Sequence, residues 1–159
     1  MWNYVLVGLI FLLATFLTLA RQRKTYKEII KLVIAKTKYR TYLKFITAQA
    51  QLESNYGQSR LAKECNNLFG MKIPYIRQSF RIQDPNGVCG VYSKFASLED
   101  SVRDYVLYLD YVKMPKTFYT IDQFGTFLKN KGYFTDPDYL SKLKKIYLKL
   151  WMINVWMII

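Results

Sequence analysis

No histidine occurs among the 159 residues, and that absence decides which chemistries remain. Ser-His and Cys-His nucleophile pairs are ruled out, as is every zinc site that depends on imidazole. The two cysteines, Cys65 and Cys89, are too few for a four-cysteine structural zinc site within one chain. Catalysis must therefore rest on carboxylates, on Tyr or Lys, or on a lone Ser, Thr or Cys, and no cofactor or metal is expected. Among the carboxylates Glu53 stands out. It ends a mostly apolar helical stretch, just before Tyr56 and Gly57. A carboxyl placed there can face a groove lined by apolar side chains. Desolvation would then raise its pKa and keep it protonated near neutral pH, as a general acid requires. Composition alone, however, reads Glu53 as a solvated helix residue.

Several elements must position this group. Ile29, Ile30, Val33 and Ile34 give residues 26–38 a helical pattern with a basic outer face. A second helix, with Thr41 as N-cap, carries Phe45, Ile46, Gln49 and Leu52 towards Asn55. Ser59 caps a short helix that leads into Asn66 and Asn67. Residues 79–83 and 88–95 read as two strands joined by Asp84-Pro85-Asn86-Gly87, which has the residues a type I turn prefers. Ser97 then opens a helix with a capping box and an apolar stripe of Leu98, Val102, Tyr105, Val106, Leu109 and Val112. Further helices fit 121–130 and 137–150, the latter with Asp136 as N-cap and Pro137 in the first position.

From Trp2 to Ala20 the chain is nearly all apolar, broken only by Asn3, Thr15 and Thr18, and it stops at Arg21, Gln22, Arg23 and Lys24. About twenty such residues suffice to span a bilayer as a helix. A cleaved signal peptide is the rival reading, but no basic side chain precedes the apolar run. The segment is therefore read as a retained single-pass anchor. The chain divides into an anchor with its basic stop (1–24), a compact domain (25–150) and an apolar tail (151–159) that packs the last helix onto the domain. The formal charge of +13 favours polyanionic surroundings such as anionic lipid or acidic envelope polymers. The charge is spread out and no nucleic-acid module is present, so no nucleic-acid partner is expected. Two buried free thiols are the commoner state of a cysteine pair, and a disulfide is the alternative if the domain is exported.

Residues 48–72 read AQAQLESNYGQSRLAKECNNLFGMK, and Gly132-Tyr133-Phe134-Thr135-Asp136-Pro137-Asp138-Tyr139 follows far downstream. Both stretches, in this order, resemble the glucosaminidase-type hydrolases of glycoside hydrolase family 73, and the resemblance covers about residues 26–150. It implies an α+β, mainly α fold: a lysozyme-like helical lobe and a small β-hairpin lobe with a sugar-binding groove between them. It implies an endo-β-N-acetylglucosaminidase that hydrolyses β-1,4 bonds of bacterial peptidoglycan. Glu53 would protonate the glycosidic oxygen, with Tyr133 across the groove as an essential partner. Tyr56, Asn67, Phe69 and Tyr92 are the candidate substrate-binding residues.

Two positions depart from the family pattern. Position 134 is Phe where the family usually has Ala. The second carboxylate, which many members take from the hairpin lobe, has only Asp84 as a candidate, and that residue also has an ordinary job in its turn. The enzyme alternative is a lytic transglycosylase or muramidase, which shares the helical lobe. The alternative from another class is a non-catalytic wall-binding or lysis accessory protein. Activity on wall requires the domain on the wall-facing side of the cell membrane. The basic cluster at 21–24 would by itself hold it in the cytoplasm, although long domains translocate largely regardless of charge.

Overall fold

The computed structural model describes Thr15 and residues 25–156. The expected anchor over 1–24 lies outside these residues, apart from Thr15. Among the described residues no helix is long and apolar enough to cross a membrane. The chain is helical over 25–34 (α1), then passes through a 3-10 turn at Arg40–Tyr42 into α2 (Leu43–Glu53) and α3 (Arg60–Glu64). Two short strands follow, β1 (Arg81–Ile82) and β2 (Lys94–Phe95). The helices α4 (Leu98–Tyr111), α5 (Ile121–Asn130) and α6 (Tyr139–Trp156) complete the fold. It is mainly helical α+β, with one two-stranded antiparallel sheet that pairs Arg81 with Phe95 and Ile82 with Lys94.

The core forms around α2, which buries Phe45, Ile46, Ala48, Gln49, Ala50 and Gln51 and so has little solvated face. Ile30 and Ile34 of α1, Val102, Tyr105 and Leu109 of α4, Phe124 and Leu128 of α5, and Leu143 of α6 close around it, all fully buried. Helix α6 packs on both α2 and α5. Gly125 permits the second contact, since a Cβ there would come within 2.4 Å of the Leu140 side chain.

Several expected boundaries move, each for a local reason. Helix α1 ends at 34 rather than 38, because the Thr37 hydroxyl donates to the Ile34 carbonyl (2.9 Å) and accepts from the Tyr39 amide (3.1 Å). Such side-chain bonds offer the backbone an alternative to further helix. Thr41 does not cap α2; the chain enters through the 3-10 turn, and Tyr42 at the N-cap makes no side-chain cap bond. The caps at Ser59 and Ser97 form as expected, accepting from the amides of Ala62 and Asp100. Thr120 and Gln123 add a reciprocal capping box that starts α5. Helix α6 begins at Tyr139, because Asp136 Oδ1 accepts from the Asp138 amide (2.9 Å) and holds Pro137 in a turn. It then continues through Trp156, six residues into the apolar tail.

The strands shrink to two residues each because the chain between them bonds to itself. Three successive turns, closed by Gly87 to Asp84, Gly90 to Gly87 and Tyr92 to Cys89, use amides that a longer ladder would need. Residues 91–95 then pair with the 65–73 stretch: Ile73 N–H donates to Val91, Ser93 N–H to Met71, and Phe95 N–H to Cys65. A disulfide joins Cys65 to Cys89 across the same seam, so the expectation of free thiols is overturned. The first two of these turns bring Cys89 back beside the end of α3, a proximity that sequence spacing does not reveal.

The loop preceding β1 is tied down by charge. Arg77 forms a bidentate bond with Asp104 of α4 (3.1 and 2.7 Å), and both side chains are almost fully buried. Asp104 Oδ1 also accepts from the Phe80 amide at 3.1 Å. Removing one partner of such a pair leaves an uncompensated buried charge, which typically costs about 3–5 kcal/mol. Asp104→Ala should therefore lose stability of that order in urea denaturation, whereas Glu99→Ala, in an exposed pair on the same helix, should lose less than about 1 kcal/mol.

Candidate active site

Glu53 is the last residue of α2, and the backbone explains why the helix stops there. Asn55, Tyr56 and Gly57 all have positive φ (47°, 57° and 79°), so the chain leaves the helix through left-handed turns. Such a conformation is unfavourable for Tyr and persists only where the surroundings enforce it. The Tyr56 amide donates to the Gln51 carbonyl (2.9 Å), and the Gly57 amide donates to Ser54 Oγ (2.8 Å). The carboxyl is thereby placed at the rim of the helical lobe rather than along a solvated helix face.

Glu53 opens into a cavity of about 380 Å³ between the helical lobe and the 69–77 stretch. Phe69, Gly70, Met71, Tyr108 and Tyr133 line its inner part, and Tyr75, Ile76 and Tyr111 stand at its exposed edge. Lys72, Arg77 and Lys131 are the basic residues of the lining, and Glu53 is the single acidic one. Gly70, with φ of 59°, brings the backbone close to the acid: a Cβ there would sit 3.3 Å from Glu53 Oε2. Glu53 Oε1 accepts a hydrogen bond from the Tyr139 hydroxyl at 2.5 Å. Burial pushes the Glu53 pKa above the ordinary carboxyl range, and the Tyr139 hydrogen bond opposes that rise without cancelling it. The desolvated carboxyl expected from the sequence is thus present at Glu53.

An aromatic layer supports the cavity floor. Phe69 stacks on Tyr105 (centroids 4.0 Å apart, planes 5° apart), and Tyr133 meets Tyr105 edge-on at 6.3 Å. The Tyr105 hydroxyl donates to Gln49 Oε1, which satisfies part of a polar side chain buried in α2. Tyr133 donates its own hydroxyl to the Phe69 carbonyl at 2.5 Å. Burial raises the pKa of Tyr105, Tyr133 and Tyr139 above the usual phenol value, so all three remain protonated.

The other sequence candidates separate. Phe69 lines the cavity as expected. Asn67 is fully buried and works as a brace, donating to the carbonyls of Met71 (2.9 Å) and Ser93 (2.8 Å) and accepting from the Met71 amide (2.9 Å). Tyr56 lines a different groove, together with Lys142, Lys145 and Lys149. Tyr92 is half-buried in a bridge with Lys72 and is not part of the cavity lining. Asp84 is also outside the lining. Its Oδ2 accepts from the Cys89 amide (2.7 Å) and its Oδ1 pairs with Lys94 (3.2 Å), and these bonds, the amide first, hold its pKa below the usual range. Tyr139 and Asp104 are the residues to which sequence reasoning gave no role. Tyr139 belongs to the downstream motif at 132–139, while Asp104 lies on α4 beside the apolar stripe rather than in it. Among the described residues, no group of three or more Cys, Asp or Glu could hold a metal ion.

A mainly helical lobe, a small hairpin lobe and one half-buried carboxyl facing the space between them suit a glycoside hydrolase. The chain belongs to the glucosaminidase family, described as mannosyl-glycoprotein endo-β-N-acetylglucosaminidase, which matches residues 29–151. It is 30% identical over 124 residues to the exo-glucosaminidase LytG of Bacillus subtilis, covering 69% of this chain but only 44% of LytG. Two solved structures share the fold. The catalytic domain of the autolysin Auto from Listeria monocytogenes has a TM-score of 0.58 and 24% identity, covering 82% of this chain and 83% of that one. The glycoside hydrolase domain of FlgJ from Salmonella typhimurium has a TM-score of 0.56 and 24% identity, covering 85% and 92%.

The raised pKa of Glu53 carries a stability consequence. A carboxyl whose folded pKa lies above its unfolded value contributes its full stability below the unfolded pKa (about 4.3), and that contribution is lost as pH rises through the folded pKa. Glu53→Gln removes the ionisable group but keeps an acceptor for Tyr139. The variant should therefore melt at a higher temperature than the parent at pH 7, and the difference should vanish near pH 3. Calorimetry at the two pH values measures it.

Proposed function

We propose that this chain is an endo-β-N-acetylglucosaminidase of bacterial peptidoglycan in which Glu53 is the general acid and no second protein carboxylate takes part. One observation carries the reading: Glu53 is the single carboxyl lining the cavity, and it is desolvated. Glycosidases usually need one group to protonate the leaving oxygen and another to supply a nucleophile or direct water. The 2-acetamido group of the substrate can fill the second role, its oxygen attacking the anomeric carbon as the bond to the leaving oxygen breaks. Glu53 gives its proton to that oxygen, and water then opens the intermediate.

Tyr133 suits the supporting role. Its hydroxyl proton is committed to the Phe69 carbonyl, so its oxygen is left as an acceptor in the cavity wall. It can accept from the acetamido N–H and so orient and polarise that group. Asp84 is committed to its turn and to Lys94. Glu53→Gln should lower the rate on purified wall by roughly 100- to 10,000-fold, the usual worth of general acid catalysis. Tyr133→Phe should hurt more than Asp84→Asn, with circular dichroism confirming both folds. In the parental digest, mass spectrometry should find reducing-end N-acetylglucosamine. Anhydro-muramic ends would identify a transglycosylase, and near-complete loss in Asp84→Asn alone would restore a two-carboxylate mechanism.

Acting on peptidoglycan requires the domain on the wall-facing side of the cell membrane, and in this reading the apolar run at 2–20 holds it there. The Cys65–Cys89 disulfide supports that side, since such bonds persist in oxidising compartments. The full chain should partition into membranes, and residues 25–159 should not. In intact cells both cysteines should resist alkylation until a reductant is added; ready labelling without reductant contradicts the exported location.

A further inference from the structure

We infer that Tyr139 is a positioning residue that fixes which oxygen of the Glu53 carboxyl carries the transferable proton, and that Phe134 holds Tyr139 in that role. The inference rests on the reading of Glu53 as general acid. A neutral carboxyl can carry its proton on either oxygen, and only the oxygen turned towards the substrate is productive. The structure makes its two oxygens unequal. Oε1 accepts from the Tyr139 hydroxyl, which burial keeps protonated. An oxygen already accepting that bond is the poorer site for the acidic proton. The proton is therefore left on Oε2, the oxygen that lies beside Gly70 in the cavity wall.

Tyr139 can perform this task only if its ring is immobile, and it opens α6 directly after the Asp136-Pro137 turn. Phe134 lies on the other side of that turn. Its ring stacks on Tyr139, with centroids 3.8 Å apart and planes 12° apart, and Tyr139 is 6% exposed. The stack closes the turn upon itself and fixes the direction of the hydroxyl. An alanine at 134 could not make it. The unusual residue of the downstream motif thus acts through Tyr139 on Glu53 without lining the cavity itself.

Other titratable groups line the same cavity or act electrostatically on the same carboxyl. Tyr105 and Tyr108 come from α4, and Tyr133 and Lys131 from the segment before α6. Lys72 and Arg77 come from the 69–77 stretch, with Arg77 tied to Asp104. Tyr139 supplies the side-chain hydrogen bond that acts on Glu53, so an altered Glu53 titration in Tyr139→Phe reports on that bond.

The test uses the full chain in detergent, labelled with carbon-13 at the Glu side-chain carboxyls, with the Glu53 signal assigned by its loss in Glu53→Gln. Tyr139→Phe keeps the ring and removes the donor that favours the carboxylate, so the Glu53 midpoint should move to higher pH. A merely structural loosening would hydrate the carboxyl and move the midpoint down. On purified wall the same variant should lose roughly 10- to 100-fold in kcat with KM nearly unchanged, the scale of a lost catalytic alignment. Phe134→Ala should lose kcat in the same way, and Phe134→Tyr, which keeps the stack, should restore it. An unmoved or lowered midpoint in Tyr139→Phe overturns the inference, as does a shifted midpoint with parental kcat. If Tyr139→Phe fails to fold, equal rates for Phe134→Ala and Phe134→Tyr overturn it instead. Should Glu53→Gln digest wall at the parental rate, the general-acid reading fails, while the titration still reports the Tyr139 contact separately.

Discussion

Keeping one carboxyl out of water without an opposite charge beside it is the constraint to which the rest of the molecule answers. Glu53 has a phenol on one oxygen and a glycine backbone beside the other. Its nearest support is therefore neutral, and that is what allows its pKa to stay high. A lysine or arginine in the place of Tyr139 would pair with Glu53, pull the pKa down and leave a carboxylate without a proton to give. The basic residues of the cavity are instead spent elsewhere or stand at its edge: Arg77 is absorbed by Asp104, and Lys72 and Lys131 are exposed.

That arrangement has a cost, and the fold offsets it around the site. Helix α2 is buried over most of its length, α6 crosses it, and the left-handed turn at 55–57 fixes where its last carboxyl points. On the far side of the cavity the hairpin lobe has little sheet of its own. It is held by the Cys65–Cys89 disulfide, the Asn67 brace, and the Arg77–Asp104 pair. A small lobe of exposed turns could not bury enough apolar surface to stay ordered by itself. Covalent and buried polar ties take the place of a core there.

This division also explains how much was legible in the sequence. The helical lobe follows hydrophobic period and cap chemistry, so α5 could be read to its end residues, and the stripe of α4 is buried or half-buried as its spacing requires. Glu53 was readable because a carboxyl at the end of an apolar helix is locally conspicuous, and because the motif around it is dense. The hairpin lobe was read as longer strands, since alternation in 88–95 says nothing about amides being consumed by three tight turns. Tyr56, Asn67 and Tyr92 sit within or near the motifs, yet none of them lines the cavity with Glu53: Tyr56 stands in a left-handed helix exit, Asn67 braces two carbonyls and Tyr92 pairs in a bridge. Tyr139 escaped notice because its partner is 86 positions away, and no local pattern carries that contact.

The proposed mechanism with a single carboxylate has a stereochemical signature. If the acetamido oxygen of the substrate attacks the anomeric carbon first and water then enters on the face that the leaving oxygen vacated, opposite the acetamido oxygen, two inversions give net retention. If instead a protein carboxylate outside the cavity lining were recruited as a base for direct attack by water, one inversion would result. The most direct measurement is proton NMR of the anomeric signals during the first minutes of digestion of solubilised glycan strands, before mutarotation mixes the products. New reducing-end N-acetylglucosamine appearing first as the β anomer is the result this mechanism predicts. The α anomer appearing first would contradict it.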